Sequence, residues 1–335
     1  VLKDKRVRRA LSLAIDRNYI VENITKGGEK PAIDFVPYGL KDINGDFREN
    51  GIKYFSADKE DYKNNIERKN NDFLSNYSLN NKNDSFNNFK DEEEIKKFED
   101  LKADLCIVVA YGIILPKRVI DAPKCGCINV HGSILPKYRG AAPIQRALLD
   151  GEEETGVSIM KLTLKLDAGD VYSVATLKIE KNDTSATLFE KLADLGAMTL
   201  LIALPKIFDG SLKAVPQDED AVTYAMKISK EESHINFNQS AEVVDRTIRG
   251  LNPWPVATTE LNGIKYKVFM SCVEYGTTEL EPGRIVNVDK DGINVACAHG
   301  IVKLITIQAP GKGPVKAADL ARSRKDEFCV GKQFG

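Results

Sequence analysis

Residues 126–151 read GCINVHGSILPKYRGAAPIQRALLDG, and this stretch decides the fold. It begins with Gly126–His131, an apolar run of strand length, and Ala142–Leu149 has the composition of a helix. In a strand, residues two apart project to the same side, so Asn129 and His131 point together near the carboxyl end. A strand, a glycine-containing loop and a helix in this order are typical of an α/β sheet, which binds ligands at the carboxyl ends of its strands.

Strand-like and helix-like segments alternate on both sides of this stretch. The run DLCIVVA at Asp104–Ala110 precedes it, and further strands are predicted over Gly156–Leu162 and Val171–Ile179. A long helix over about Thr184–Phe208 follows, capped by the Thr or Ser at its start. Continuous apolar strands covered on both faces favour a Rossmann-like α/β layer with a largely parallel sheet.

The last hundred residues follow a different pattern. Five short apolar segments are separated by Gly and Asn turns, at residues 256–261, 264–273, 283–289, 292–298 and 300–308. Ser240 is predicted to cap a short helix before them. Short strands at such close spacing predict a small antiparallel barrel of the OB type.

Three side chains form the candidate chemical group. His131 is one of 3 histidines in the chain, and it lies beside Asn129 where a buried strand meets a glycine-containing loop. An amide beside an imidazole supplies a fixed hydrogen-bond donor and a proton carrier, as required to stabilise an oxyanion and move a proton. Asp167, in KLDAGDVY, completes the group if its carboxylate reaches His131 and orients the imidazole. The structural alternatives are a buried histidine at a strand end and a simple Asp-Gly turn.

The first 66 residues differ from this pattern. A helical period in KDKRVRRALSLAIDR at residues 3–17, followed by SADKEDY at residues 56–62, resembles the periplasmic substrate-binding proteins of oligopeptide transporters. The Asn-rich and Ser-rich text that follows is expected to form a linker. We therefore predict four segments: a transporter-like fragment at 1–66, a linker at 67–89, an α/β domain at 90–225 and a barrel domain at 226–335.

A second resemblance covers about residues 90–334. Together with the 126–151 block, the segments AYGIILPKRVID at 110–121, LDAGD at 166–170 and NPWP at 252–255 are similar to those of methionyl-tRNA formyltransferases. The HGSxLPxYRG block is shared by several enzymes that use 10-formyltetrahydrofolate, whereas AAPIQRALLDG, NPWP and the barrel favour the tRNA-directed family. The resemblance implies an enzyme of protein biosynthesis that formylates methionyl-initiator tRNA during translation initiation.

The resemblance also implies roles for residues of this chain. It makes Asn129, His131 and Asp167 the catalytic residues and requires no metal. It implies a folate site along Ala110, Tyr111, Gly112, Ile113, Ser133, Leu135 and Pro136. For a tRNA partner, local positive charge predicts phosphate contacts at Lys227, Lys230, Lys265, Lys267, Lys312, Lys316, Arg322 and Arg324.

Composition fits a globular protein of about two domains in 335 residues. Apolar residues make up 42% of the chain and charged residues 29%, which excludes global disorder and a fibrous architecture. Because 48 Lys and Arg balance 49 Asp and Glu, the net charge of −1 gives no global attraction to a polyanion. The 6 cysteines are too sparse for a disulfide scaffold, and the N-terminal residues lack the apolar region of a signal peptide. We expect a reduced, cytoplasmic monomer.

The chain departs from the formyltransferase family at its start, where no text matches the family's N-terminal strands. The whole sequence resembles a fusion of two unrelated sequences. Loss of interior strands exposes unpaired backbone groups and the apolar face of DLCIVVA, so we expect an incomplete sheet and absent or severely reduced activity. Three alternatives stay open: a peptide-binding fragment of an ABC transporter, a nucleic-acid-binding module formed by the barrel, and a folate-dependent formyltransferase with a sugar-nucleotide acceptor.

Overall fold

The computed structural model describes residues 41–42, 45–46, 89–111 and 114–335. Most of the predicted segments 1–66 and 67–89 lies outside the described residues. The exception is a pair of short antiparallel strands, β1 (Lys41–Asp42) and β2 (Gly45–Asp46), together with Phe89.

The chain divides into two compact units, each described by itself. The first unit contains residues up to 136 with 157–175 and 193–221, and the second contains 137–156, 176–192 and 222–335. The predicted boundaries at residues 66, 89 and 225 stay predictions.

The other helices and strands of the described residues follow in chain order. As far as residue 208 they are α1 (Glu92–Asp100), β3 (Cys106–Val108), α2 (Lys117–Asp121), β4 (Cys127–His131), β5 (Arg139–Gly140), α3 (Pro143–Asp150), β6 (Glu154–Lys161), β7 (Val171–Lys178) and α4 (Ser185–Phe208). After it they are β8 (Tyr224–Ala225), α5 (Ala241–Gly250), β9 (Ala257–Leu261), β10 (Ile264–Glu274), β11 (Ile285–Val288), β12 (Ile293–Ala296), β13 (Ile301–Gln308), β14 (Val315–Lys316) and α6 (Ala317–Ser323).

One sheet of the described residues has the strand order β3-β4-β6-β7. Strand β3 pairs with β4 in parallel, with Cys106 opposite Cys127. Strand β4 pairs with β6 in the antiparallel sense, with His131 opposite Ser158. The α/β class is confirmed, and the sheet is mixed rather than largely parallel. The sequence missed this because an apolar run indicates burial and carries no information on strand direction.

The sheet is covered on both faces, as its apolar strands predict. Alternate residues of β3 divide between two apolar clusters. Val108 packs with a cluster that includes Val119 of α2, whereas Ile107 packs with a cluster that includes Leu200 of α4. The α4 helix approaches β4 closely at Gly196, where an added Cβ would lie 2.9 Å from the Val130 Cγ1 atom.

Both predicted helix caps are present. At the start of α4, the Thr184 hydroxyl accepts a hydrogen bond from the Thr187 N–H at 3.3 Å. At the start of α5, the Ser240 hydroxyl accepts from the Val243 N–H at 3.4 Å. Each cap satisfies a backbone donor that the first turn of a helix leaves unpaired.

The predicted antiparallel barrel lies in the second unit. Its strands follow the order β11-β12-β13-β10-β9, with β14 paired to β13, and the five predicted strands are confirmed. The C-terminal residues close the barrel, because Gln333 pairs with Arg284 at one edge and Phe334 pairs with Leu261 at the other. The barrel core contains the buried Tyr266, whose ring packs against Phe328 with centroids 5.5 Å apart, and the buried Phe334.

Candidate active site

Strand β4 carries two of the predicted site residues at its carboxyl end. Asn129 lies opposite Met160 of β6 and Val108 of β3, and His131 lies opposite Ser158. The strand geometry therefore turns the Asn129 and His131 side chains to the same side of the sheet. His131 is only 5% exposed, so its imidazole lies in a largely dry environment where electrostatic interactions are strong.

Asp167 lies in the loop that connects β6 to β7, and it contacts His131. Its Oδ2 atom is 3.8 Å from the His131 Nδ1 atom, and both side chains are mostly buried. This separation is within ion-pair range but longer than a hydrogen bond. A carboxylate on Nδ1 favours a proton on that atom and leaves the imidazole Nε2 atom to exchange a proton with a ligand. The structure thus brings together the histidine and the carboxylate that the sequence paired.

The loop after β4 is tied to β6 by Ser158, a fully buried residue that the sequence did not single out. Its hydroxyl donates to the Ser133 carbonyl oxygen at 2.7 Å and accepts from the Leu135 N–H at 3.1 Å. The Leu135–Pro136 peptide bond that follows is cis. One hydroxyl therefore fixes the chain immediately after His131.

The residues predicted to bind folate lie in two places in the first unit. Ser133, Leu135 and Pro136 follow β4, whereas Ala110 and Tyr111 follow the neighbouring parallel strand β3. The carboxyl ends of parallel neighbours lie at the same edge of a sheet. The other two predicted residues, Gly112 and Ile113, lie outside the described residues.

Gln217 is a second residue that the sequence did not single out. Its Nε2 atom donates to the Asp167 carbonyl oxygen and to the Gly169 carbonyl oxygen, each at 2.8 Å. Gln217 lies 50 residues after Asp167 in the polar segment PQDED. This segment has no periodicity or motif that would have identified Gln217.

The eight basic residues predicted to contact tRNA all lie in the second unit. Seven of them are exposed, and Arg324 is half-buried. Lys265 and Lys267 alternate along β10 with buried core residues, so both point away from the barrel core. Arg322 pairs with Asp319, and the Arg324 Nη1 atom contacts the Tyr266 hydroxyl at 3.2 Å, so these two guanidinium groups are already engaged within the unit.

The NPWP segment forms a structural turn after α5. The peptide bonds before Pro253 and Pro255 are cis. The Asn252 side-chain amide donates to the Phe269 carbonyl oxygen at 2.7 Å, and the Asn252 carbonyl oxygen accepts from the Ala186 N–H at 3.2 Å. The motif that contributed to the family resemblance therefore holds the start of the barrel.

Two further findings concern the described part of the chain. No helix there has the length and apolar character needed to cross a bilayer. No group of three or more His, Cys, Asp or Glu side chains there is arranged to hold a metal ion.

Comparison with protein families gives three matches. Residues 50–204 match the formyl transferase model, and residues 227–325 match the model of the formyl transferase C-terminal domain. The two matched regions are similar to the two domains of formyl transferases. Residues 1–85 match the middle model of the bacterial extracellular solute-binding proteins of family 5, which confirms the resemblance seen at the N-terminus. This match overlaps the first formyl transferase match over residues 50–85.

Two solved structures share the fold. HypX from Aquifex aeolicus, crystallised with tetrahydrofolic acid, is 19% identical with a TM-score of 0.54, over 68% of this chain and 40% of HypX. WlaRD, a sugar 3N-formyl transferase crystallised with dTDP and 5-N-formyl-THF, is 18% identical with a TM-score of 0.52, over 64% of this chain and 77% of WlaRD. The chain thus spans about two fifths of HypX, and a likeness at this identity concerns the fold alone.

Proposed function

We propose that this chain transfers the formyl group of 10-formyltetrahydrofolate to the amino group of methionyl-initiator tRNA in the cytoplasm. The observation that carries the proposal is the buried contact between His131 and Asp167 at the carboxyl end of β4, beside Asn129. The formyl transferase domain matches set the reaction class. We keep the expectation of a reduced rate, which the sequence motivates, as part of this proposal.

The proposed mechanism is addition followed by elimination at the formyl carbon. The methionyl amine attacks this carbon, and a new C–N bond forms while the carbonyl oxygen becomes an oxyanion. Asn129 donates a hydrogen bond to the oxyanion, which supplies about 3 to 4 kcal/mol for one such donor. His131 takes the proton that the amine loses, and Asp167 stabilises the imidazolium. The bond to the folate N10 atom then breaks, and that nitrogen receives the proton as tetrahydrofolate leaves.

The described residues have the chemistry that a folate requires. Val109, Ile114, Leu164 and Leu166 all have exposed side chains, and they lie in the segments after β3 and after β6. A flat pterin ring favours apolar walls with a few backbone polar groups. HypX and WlaRD were both crystallised with folates, which supports a folate as the formyl donor.

The second unit favours tRNA as the acceptor. It carries the match to the formyl transferase C-terminal domain and the exposed cations at Lys227, Lys230, Lys265 and Lys267. A tRNA ligand needs such a surface because phosphate neutralisation supplies much of the affinity of nucleic-acid binding. The alternative acceptor is a sugar nucleotide, and the shared fold of WlaRD supports it.

An acceptor competition tests the proposal. The full chain is incubated with 10-formyltetrahydrofolate, methionyl-initiator tRNA and a dTDP-amino sugar, and both formylated products are measured. We expect product on the tRNA, with binding that weakens as salt rises. Replacement of Lys265 and Lys267 by Ala should reduce the log–log salt slope by about two, whereas the matched Lys96→Ala, Lys97→Ala variant on α1 should not change it. Formylation of the sugar nucleotide without formylation of tRNA would establish the alternative.

A binding measurement separates the enzyme from the transporter alternative. We expect the chain to bind 5-formyltetrahydrofolate, a stable folate probe, and to lack affinity for oligopeptides. Peptide binding without folate binding contradicts the proposal.

A further inference from the structure

The loop that carries Asp167 is held in an unfavourable backbone conformation. Asp167 has a φ of 45°, in the left-handed region that a residue with a side chain rarely adopts. Such a conformation carries strain, and it persists only where its surroundings determine it. The contacts that impose this conformation therefore also determine where the Asp167 carboxylate points.

One end of the loop is fixed by backbone packing against β6. The Lys161 N–H donates to the Asp170 carbonyl oxygen at 2.9 Å. Gly169 lies so close to β6 that an added Cβ would stand 1.9 Å from the Lys161 carbonyl oxygen. These contacts fix Gly169 and Asp170, which lie two and three residues after Asp167.

Gln217 contacts the backbone of Asp167 itself. Its amide nitrogen lies between the Asp167 and Gly169 carbonyl oxygens, 2.8 Å from each, and uses both of its N–H donors on them. Gln217 is half-buried, and its own position is set two residues earlier. There Val215 and Val171 exchange two backbone hydrogen bonds of 2.8 and 2.9 Å at the start of β7.

We infer that Gln217 is a positioning residue, which holds the Asp167 carboxylate against His131 by clamping the Asp167 and Gly169 carbonyls. Gln217 does not touch the reacting atoms; it acts through Asp167. This inference rests on the proposed function for its effect on rate, whereas its effect on the geometry of Asp167 is independent of any activity. Loss of the clamp frees the loop, and a small displacement of a catalytic group lowers the rate by up to about 100-fold.

The test uses two substitutions of Gln217, one that keeps the shape of the side chain and one that adds no charge. Gln217→Glu keeps the shape of the side chain and removes both N–H donors, and Gln217→Ala removes the donors without adding a charge. The matched control is Gln333→Glu, because the Gln333 amide also donates to a backbone carbonyl, that of Pro282 at 3.2 Å, but in the second unit.

The first measurement is the NMR spectrum of the imidazole groups, which needs no activity. The chain has 3 histidines, and His131→Ala identifies the His131 signals. We expect both Gln217 variants to move the His131 signals, as Asp167→Asn does, and to leave those of His234 and His299 in place. His131 signals that move in Asp167→Asn but stay unchanged in both Gln217 variants overturn the inference.

The second measurement is a double-variant cycle on formyl transfer. We expect Gln217→Glu to lower kcat by about 10- to 100-fold, with little change in the KM of either substrate. In an Asp167→Asn background the same substitution should have no further effect. An equal loss in both backgrounds would show that Gln217 acts independently of Asp167 and would overturn the inference. If the parent chain transfers no formyl group, the proposed function fails and the NMR result alone decides the role of Gln217.

Discussion

The sheet of the first unit and the barrel of the second unit differ in how their edges are managed. In the barrel, Gln333 and Phe334 pair with both edges and close the structure. In the four-stranded sheet of the described residues, β3 forms an edge whose apolar residues are half-buried. A closed sheet leaves no row of unpaired backbone N–H and C=O groups, whereas an open edge strand does. Within the described residues, the barrel is closed at both edges, whereas the sheet that carries the candidate site ends at β3.

The closure of the barrel can be broken at Phe334, which is buried against Phe237 and Phe328. We expect Phe334→Ala to destabilise the second unit by about 3 to 5 kcal/mol, as for other buried aromatic residues. Trp254 is the only tryptophan of the chain and lies in the second unit, so its fluorescence in a denaturant titration reports this unfolding. The matched Tyr275→Ala variant removes an exposed ring of the same unit and should cost far less. Equal losses for the two variants would mean that Phe334 does not close the barrel.

The site in the first unit can be broken at Asp167. Asp167→Asn keeps the size of the side chain and removes the charge beside His131. We expect formyl transfer to fall by about 100-fold or more, since one positioned acid or base contributes about 10² to 10⁴ in rate. The control is Asp170→Asn in the same loop, whose carboxylate pairs with Lys161 at 3.4 Å. A rate for Asp167→Asn equal to that of the control contradicts the assigned role.

A smaller effect, on the stability of the barrel, is expected when the pH is lowered. Burial opposes ionisation of Asp289, but hydrogen bonds from Asn294, from the Asp291 backbone and from Lys303 outweigh it and hold the pKa of this carboxyl well below its usual range. A carboxyl with a depressed pKa stabilises the fold above its unfolded pKa of about 4 and loses this contribution as pH falls toward the folded value.

We therefore expect the second unit of the parent chain to lose stability below about pH 4 more steeply than Asp289→Asn does. Thermal unfolding followed by Trp254 fluorescence over that pH range measures the difference. Asp326→Asn, at an exposed position of the same unit, should follow the parent curve. Parallel curves for the parent and Asp289→Asn would exclude this role for Asp289.

The sequence predicted the barrel more completely than the sheet. The five barrel strands are short segments between Gly and Asn turns, and these turns mark the ends of each strand. Strands β3 and β4 are largely apolar, and such runs do not encode direction, so the antiparallel pairing of β4 with β6 was not predicted.

The site was also predicted only in part, because a sequence encodes local strand geometry but not contacts between distant segments. Asn129 and His131 share one strand, so their common orientation follows from local geometry. The approach of Asp167 to His131 depends on a loop that is distant in sequence. The contact was therefore expected only as a condition, and the structure places the Asp167 Oδ2 atom 3.8 Å from the His131 Nδ1 atom. Ser158 and Gln217 each act through two hydrogen bonds to backbone atoms, which leave no periodic signal in a sequence.

The central claim is that His131 performs formyl transfer, and one comparison tests it most directly. Formylation of methionyl-initiator tRNA from 10-formyltetrahydrofolate is followed under single-turnover conditions with the parent chain, with His131→Ala and with His299→Ala, which removes an exposed imidazole of the second unit. The account predicts that the parent and His299→Ala transfer the formyl group at equal rates and that His131→Ala is slower by at least about 100-fold. Equal rates for all three proteins would contradict it.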